Sequence, residues 1–163
     1  MPPPIRAAAP FAIAYRPMTD EDLAFMAVLY GSTRAAELAA VPWPQEAKDA
    51  FVSQQFLAQH SHYQTHYPNA EWLVIEREGE AIGRLYIEEW PTQFRLIDIA
   101  LAPDCQQQGI GRAILEDAIA MARSKSKRLS IHVEKNNPAY RLYTRLGFTV
   151  AGDTGVYDLL EVA

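Results

Sequence analysis

The segment LAPDCQQQGIGR, residues 101–112, contains the residue types best suited to binding an anion. A strand is predicted to end at its first residues, and a helix is predicted to begin at its Gly-Ile-Gly end. Backbone N–H groups at a helix start are free and lie at the positive end of the helix dipole. Gly109 and Gly111 let the chain bend tightly, so that a phosphate approaches without meeting a Cβ atom. The glutamines at 106–108 add neutral donors, and Arg112 adds positive charge.

Two well-known phosphate-binding motifs do not fit this segment. A P-loop requires Lys and then Ser or Thr after its second glycine, whereas Arg112 and Ala113 follow Gly111 here. A dinucleotide-binding fingerprint requires a third small residue at the position of Ile114. On this segment alone, a tight strand-to-helix turn without a ligand stays open as the alternative.

A second motif, NNPAYRLYTRLGF at residues 136–148, follows the next predicted strand after roughly 25 residues. Together the two segments resemble the GNAT superfamily of acyl-CoA-dependent N-acyltransferases. Residues 106–111 are similar to that family's Q/R-x-x-G-x-G/A loop, which holds the pyrophosphate of coenzyme A. The family's N-x-x-A-x-x-x-Y-x-x-x-G-F signature is matched by Asn136, Ala139, Tyr143, Gly147 and Phe148.

The resemblance implies that acetyl-CoA is the co-substrate and that its thioester lies between two splayed parallel strands, 95–102 and 128–135. One main-chain amide of the first strand would polarise the thioester carbonyl. Asn136 would bind the pantetheine arm from the opposite side. The residues implied to contact the cofactor are Ile99, Ala100, Leu101, Gln106, Gln107, Gln108, Gly109, Ile110, Gly111, Arg112, Asn136, Ala139 and Tyr143.

The resemblance further implies that an amine attacks the thioester directly, without an acyl-enzyme intermediate. Tyr143 would be the general acid that protonates the departing thiolate, and core packing is the alternative for this tyrosine. Several family members carry a Glu base where Arg95 stands, so that role does not carry over. Asp98 is the nearest candidate, because desolvation in an apolar strand would strengthen it as a base. A structural role for Asp98, and Glu88, Glu89 or a water chain as the base, stay open.

The amine acceptor is expected to bind against an acidic and aromatic wall for a cation. Its proposed members are Glu37, Trp43 and Glu88, together with Tyr63 and Trp90. Ordinary packing of the tryptophans and solvent exposure of the glutamates are the alternatives. The sequence does not choose among an amino acid, a polyamine, an aminoglycoside-like drug and a protein N-terminus.

Other reactive side chains are interpreted as ordinary. His62 and His66 have i, i+4 spacing on a predicted helix, but no HExxH pattern accompanies them, and we expect no metal site. Cys105 lies in the anion-binding segment without an adjacent histidine, so it is not expected to act as a nucleophile.

The order of the predicted strands and helices that position these residues indicates an α/β (α+β) fold. A mixed central sheet of about seven strands is expected, with helices on both faces and splayed parallel central strands. The domain is expected to cover residues 11–163, after a flexible tail at 1–10. Strands are predicted near 11–18, 71–78, 81–90, 95–102, 128–135, 148–151 and 156–162, and helices near 19–40 (with a possible break at Gly31), 45–66, 109–124 and 138–147.

Composition excludes several other classes of protein. The 163 residues suit one domain, and the net charge of −5 argues against a nucleic-acid partner. No segment reaches the length of apolar sequence that a membrane span requires, so no membrane partner is expected. Cys105 is the only cysteine, which favours a cytoplasmic location.

The sequence leaves two function classes other than an enzyme open. One is a non-catalytic acyl-CoA-binding sensor that keeps the cofactor site, and the other is a generic nucleotide-binding domain. A homodimer is equally open, because no segment of the sequence indicates an interface.

Overall fold

The computed structural model describes residues 1–163 and has a seven-stranded mixed sheet at its centre. The strands lie in the order β1-β2-β3-β4-β5-β7-β6, and only β4 and β5 are parallel. This arrangement confirms the predicted fold class. The strands are β1 (Ile13–Pro17), β2 (Glu71–Arg77), β3 (Glu80–Glu89), β4 (Gln93–Leu101), β5 (Arg128–Glu134), β6 (Thr149–Asp153) and β7 (Tyr157–Val162), and the helices are α1 (Leu23–Ala39), α2 (Gln45–His66), α3 (Ile110–Ser124) and α4 (Tyr140–Arg145).

Helices cover both faces of the sheet. The amphipathic α3 buries Ile110, Ile114 and Ala118 completely against apolar strand residues such as Leu85 and Leu129. Helices α1 and α2 form a smaller core on the other face. Its buried members are Met26, Leu29, Tyr30, Phe56 and Val74. The site residues are therefore held between two separately packed layers.

The parallel strands β4 and β5 pair over only three residue positions. Gln93, Phe94 and Arg95 lie opposite Arg128, Leu129 and Ser130, and the ladder then stops. The rest of the two strands diverges, which leaves a gap with unpaired strand edges on both sides. The predicted splay is thus present, and it begins directly after Arg95.

A β-bulge in β4 changes which side chains face α2. Arg95 lies opposite Glu88 of β3, and Asp98 lies opposite Tyr86, so Ile97 is an extra residue without a partner. Because Tyr86 and Glu88 are two residues apart, they point to the same face, and so do Arg95 and Asp98. Without the bulge, Arg95 and Asp98 would lie on opposite faces of the sheet.

The N-terminal segment differs from the expected loose tail. The backbone amides of Arg6, Ala7 and Ala8 donate to the carboxylate of Asp117 in α3, at 2.7 to 3.1 Å. Ala8 is fully buried in the main core. This contact is not predictable from local sequence patterns, because the residues that form it are more than 100 positions apart.

Helix α1 runs through Gly31 without the break that we considered. A Cβ atom at this glycine would lie 3.1 Å from the Cγ1 atom of Val52 in α2, so the glycine permits a close approach of the two helices. None of the helices combines the length and the apolar composition that crossing a membrane requires.

Candidate functional site

The loop between β4 and α3 presents a continuous row of free backbone donors. The amides of the six residues from Gln107 to Arg112 donate no hydrogen bond to backbone or side chain, whereas the amide of Ala113 donates to the carbonyl of Gly109 at 3.1 Å. The last three of these six amides are the first turn of α3, where the helix dipole is positive. The loop can therefore donate to an anion without breaking any existing bond.

Two residues of this loop have left-handed backbone conformation. Gln107 has φ of 60° and Gly109 has φ of 88°. Glycine adopts such a conformation without the steric cost that other residues bear. The ring of Phe11 lies beside Gly109, 3.4 Å from the position that a Cβ atom would occupy. Phe11 of the N-terminal segment thus packs against the loop at Gly109.

Two of the three glutamine side chains, those of Gln106 and Gln108, donate to backbone carbonyls within the loop and its flanking strand. The Nε2 group of Gln106 donates to the carbonyl of Leu101 at 3.0 Å, and that of Gln108 donates to the carbonyl of Asp104 at 2.8 Å. Arg112 is exposed and pairs with Glu116 at 2.9 Å, one turn further along α3. The free donors of the loop are therefore its main-chain amides and the side chain of Gln107.

The gap between the diverging strands leads from this loop toward the centre of the sheet. On one side, Ile99, Ala100 and Leu101 pair with β3 and have no strand partner on their other edge. On the other side, Asn136 lies in the turn after β5, is exposed and forms no hydrogen bond through its side chain. Ala139 follows as the residue that precedes α4, and its amide is held by the side chain of Asn137 at 2.8 Å.

Tyr143 of α4 is 4% exposed, and its ring packs edge-on against Phe148 with centroids 5.4 Å apart. Its hydroxyl forms no hydrogen bond to the protein. Burial raises the pKa of Tyr143 above its ordinary value, and the negative charge of Asp98 raises it further. The phenol is therefore a protonated donor without a partner in the protein, and it interacts electrostatically with the carboxylate of Asp98.

Asp98 has a charged partner, which corrects the expectation of a carboxylate in apolar surroundings. Nη2 of Arg84 donates to Oδ2 of Asp98, and the same nitrogen donates to Oε1 of Gln59 in α2 at 2.9 Å. Arg84 is 2% exposed, and its Nε atom has no partner. One oxygen of Asp98 is thus engaged with a guanidinium, while Oδ1 forms no hydrogen bond to the protein.

A cleft of about 440 Å³ lies between α2 and the sheet, at the point where β4 and β5 separate. Aromatic rings form much of its wall, and Arg95 is its most buried charged residue. The polar and aromatic residues that line it are Gln59, His62, Tyr63, Tyr67, Arg95, His132, Thr154 and Tyr157. Asp98 is not among the lining residues, but it points to the same face of the sheet as Arg95.

The three residues expected to bind the acceptor do not line this cleft. Glu37 pairs with Arg34 on the surface of α1, and the ring of Trp43 packs against Phe51 at 5.6 Å. Glu88 accepts hydrogen bonds from the amide of Asn69 and from Nε1 of Trp90, at 3.1 and 2.6 Å. Of the five wall residues considered, Tyr63 does line the cleft, and the expected acidic character is replaced by the guanidinium of Arg95.

Three residues that the sequence reasoning missed are Arg95, Ser130 and His132. Nε of Arg95 donates to Oγ of Ser130 at 2.9 Å, and Nη1 lies 3.3 Å from Nδ1 of His132. The alternation of polar and apolar residues in RLSIHVE was the signal that could have placed Ser130 and His132 on one face of β5.

Cys105 and two histidines of α2 are the other reactive side chains singled out in the sequence. Cys105 is 3% exposed, and burial raises the pKa of its thiol. His62 and His66 stack with ring centroids 4.0 Å apart. No group of three or more His, Cys, Asp or Glu side chains is placed to hold a metal ion.

Known proteins share both the sequence pattern and the fold. The profile described as the Acetyltransferase (GNAT) family matches residues 33–148. A 5-NmdU N-acetyltransferase of Pseudomonas phage PaMx11 is 37% identical over 90 residues, which are 53% of this chain and 63% of that protein. Peptidyl-lysine N-acetyltransferase YjaB of Salmonella typhimurium is 28% identical over 88 residues, 54% of this chain and 56% of that protein. The chain thus matches less than two thirds of the length of either relative.

The fold is shared over nearly the whole chain with a solved structure. The PaiA N-acetyltransferase of Thermoplasma acidophilum, in complex with coenzyme A, gives a TM-score of 0.67 at 17% identity. The superposition covers 91% of this chain and 97% of that protein. At this identity the likeness is one of architecture.

Proposed function

The chain belongs to the Acetyltransferase (GNAT) family, and from this membership we propose that it transfers an acetyl group from acetyl-CoA directly to a primary amine. The observation that carries the proposal is the row of six unengaged amides from Gln107 to Arg112 beside the gap between β4 and β5. A diphosphate needs many donors at one place, and a helix start with left-handed residues before it supplies them. Family membership confirms the resemblance that the two sequence motifs carried.

In the proposed reaction the acyl thioester lies in the gap between the strands. An amide of the unpaired β4 edge, in the region of Ile99 to Leu101, donates to the thioester oxygen and stabilises the negative charge that develops there. The lone pair of the amine attacks the carbonyl carbon, and the carbon–sulfur bond then breaks. The products are an N-acetylated amine and coenzyme A.

Two protons must move during this transfer. We propose that the hydroxyl of Tyr143 gives its proton to the departing thiolate, because this hydroxyl has no partner in the protein. We keep Asp98 as the candidate that takes the proton from the amine through Oδ1, since Oδ2 is held by Arg84. Gln59 supports the position of Arg84 and therefore of Asp98.

The printed names of the two relatives do not choose the acceptor. One is named for 5-NmdU and the other for peptidyl-lysine, which are unlike in size and charge. A primary amine on a small molecule or a peptide is the class that both names permit. We retain this class for the present chain and derive a narrower one below from its own cleft.

Calorimetry and thiol release together test the proposal. Acetyl-CoA is expected to bind more tightly than ATP, and free thiol is expected to appear when a suitable amine is present. Binding without thiol release from a broad amine panel would indicate a non-catalytic acyl-CoA sensor. Tighter binding of ATP than of coenzyme A would contradict the proposed use of the loop.

A further inference from the structure

We propose that Arg95 binds a carboxylate of the amine acceptor, so that the preferred substrates are amines that also carry a carboxylate, such as amino acids. The inference rests on the proposed function and narrows its substrate class. Arg95 places a buried positive charge in the cleft beside α2.

Arg95 is a buried cation held in one orientation by neutral groups. The residue is 7% exposed, and its guanidinium lies over the ring of Trp90, 4.6 Å from the centroid. Its Nε group donates to the hydroxyl of Ser130, and Nη1 donates to Nδ1 of His132. Trp90 is itself fixed by its bond to Glu88 and by stacking on Tyr67. The guanidinium is therefore preorganised, and little side-chain entropy is left to lose when a ligand binds.

No carboxylate of the protein neutralises this charge. Glu88 lies directly opposite Arg95 in the sheet, but its two oxygens accept from Asn69 and Trp90, and it forms no ion pair with Arg95. Asp98, on the same face, is paired with Arg84.

His132 is the other titratable side chain in contact with the guanidinium, and it brings no negative charge. Its Nδ1 atom accepts from Arg95, and burial together with the nearby positive charge lowers the pKa of His132. A buried charge without a counterion is costly, and a ligand that brings a negative group into the cleft removes this cost.

The guanidinium keeps free donors for such a group. Of its five N–H groups, two are used by Ser130 and His132, which leaves three, including both on Nη2. The planar fork of an arginine matches the two oxygens of a carboxylate. Because Arg95 lines the cleft, these donors are available to a molecule inside it.

The position of Arg95 relates this anion site to the reacting amine. Arg95 is the last β4 residue in the ladder with β5, so it lies at the closed end of the gap that holds the thioester. The bulge at Ile97 turns Arg95 and Asp98 toward the same face, within about 10 Å along the strand. A molecule with an amine and a carboxylate a few bonds apart can reach both residues at once.

Matched acceptors test the inference with the full chain and acetyl-CoA. L-alanine is compared with L-alaninamide, and L-phenylalanine with L-phenylalaninamide, with rates of thiol release expressed per concentration of neutral amine. We expect kcat/KM to favour the acids by roughly 10-fold to 100-fold, which is the range that a hydrogen bond to a charged group supports. Equal or better use of the amides by the unaltered protein would overturn the inference.

Variants locate the preference at Arg95. In Arg95→Gln the acid-to-amide ratio of kcat/KM is expected to fall to near one, and Arg95→Lys is expected to give an intermediate ratio because it keeps the charge and loses the fork. Arg128→Gln is the matched control, because Arg128 is half exposed, pairs with Glu161 at 3.5 Å and does not line the cleft. A ratio that stays high in Arg95→Gln would refute the assignment even where the acids are preferred. If Arg95→Gln does not fold, the acid-to-amide ratios of kcat/KM in Arg95→Lys and in the unaltered protein test the assignment.

Failure of the proposed function gives a different result. If no amine releases thiol, each acid and its amide are titrated calorimetrically into the protein saturated with coenzyme A. Selective binding of the acid that Arg95→Gln abolishes upholds the anion site without catalysis. Equal binding of both, or binding of neither, refutes it.

Discussion

Replacing Tyr143 with phenylalanine is expected to separate turnover from stability. The hydroxyl of Tyr143 has no hydrogen-bond partner in the protein, so removing it breaks no bond that the folded chain makes. The ring and its packing against Phe148 remain. The free energy of unfolding should therefore change by less than about 0.5 kcal/mol. If the hydroxyl protonates the leaving thiolate, kcat should fall roughly 10²-fold to 10⁴-fold.

That fall corresponds to about 2.7 to 5.4 kcal/mol in the activation free energy, at about 1.36 kcal/mol for each factor of ten. A loss of this size without a loss of stability cannot come from a packing defect. The measurement combines thiol release under saturating acetyl-CoA, calorimetry of coenzyme A binding and thermal unfolding. Coenzyme A affinity is expected to be retained.

Tyr140 provides the matched control, three residues earlier in the same helix. Its hydroxyl donates to Asp158 at 2.6 Å, so Tyr140→Phe breaks a bond to a charged group. Thermal unfolding should detect this loss, whereas turnover should stay near that of the unaltered protein. The same chemical change is thus expected to lower turnover but not stability in Tyr143→Phe, and stability but not turnover in Tyr140→Phe.

The pH dependence of the rate gives a second readout. Burial and the charge of Asp98 raise the pKa of Tyr143, so the phenol stays protonated beyond the ordinary value of about 10. The rate should therefore show no alkaline decline from this group below about pH 10. An unaltered kcat in Tyr143→Phe, or an equal loss of kcat in Tyr140→Phe, would refute the assignment of the acid.

The remaining predictions concern the loop, the N-terminal segment and acid stability. Gly109→Ala and Gly155→Ala each place an alanine at positive φ, which should cost about 1 kcal/mol of stability in both variants. Calorimetry should show weaker coenzyme A binding in Gly109→Ala and unchanged binding in Gly155→Ala. Asp117→Ala removes the acceptor for three backbone amides and should lower the free energy of unfolding, measured in urea, by about 3 kcal/mol. A change within experimental error would contradict the docking of the N-terminal segment on α3. The Arg16 guanidinium holds the pKa of Asp22 at about 2, below the usual 3.8, so protonation favours the unfolded chain. Stability from Asp22 is then lost as the pH falls from about 4 toward 2, and Asp22→Asn should flatten an unfolding titration in that window.

Two consequences of the tertiary structure alter the chemistry expected at the site. The pairing of Arg84 with Asp98 gives the candidate base a fixed orientation and one free oxygen. The exposure of an unneutralised guanidinium to the cleft points to an acceptor with a negative group, where the sequence suggested an acidic wall for a cation. The bulge residue Ile97 places Arg95 on the same face of the sheet as Asp98.

The sequence by itself determined the parts of this protein that depend on local chemistry. The turn at 106–111 and the helix start after it follow from two glycines and the strand before them. The signature from Asn136 to Phe148 likewise lies within one strand-to-helix unit. Helix and strand periodicities were strong enough to give the order of elements, and hence the mixed sheet, because each reflects which residues are buried on one element.

Only the tertiary structure decided which distant side chains meet. The contact of Ala8 with Asp117 joins residues 109 positions apart in the chain, and no periodicity within either segment encodes it. The bulge at Ile97 reverses the side-chain alternation of β4, and strict alternation would have placed Arg95 and Asp98 on different faces. Whether a buried charge is paired depends on neighbouring strands and helices, and this is the physical reason why the partners of Asp98, Glu88 and Arg95 were not predictable from their own segments.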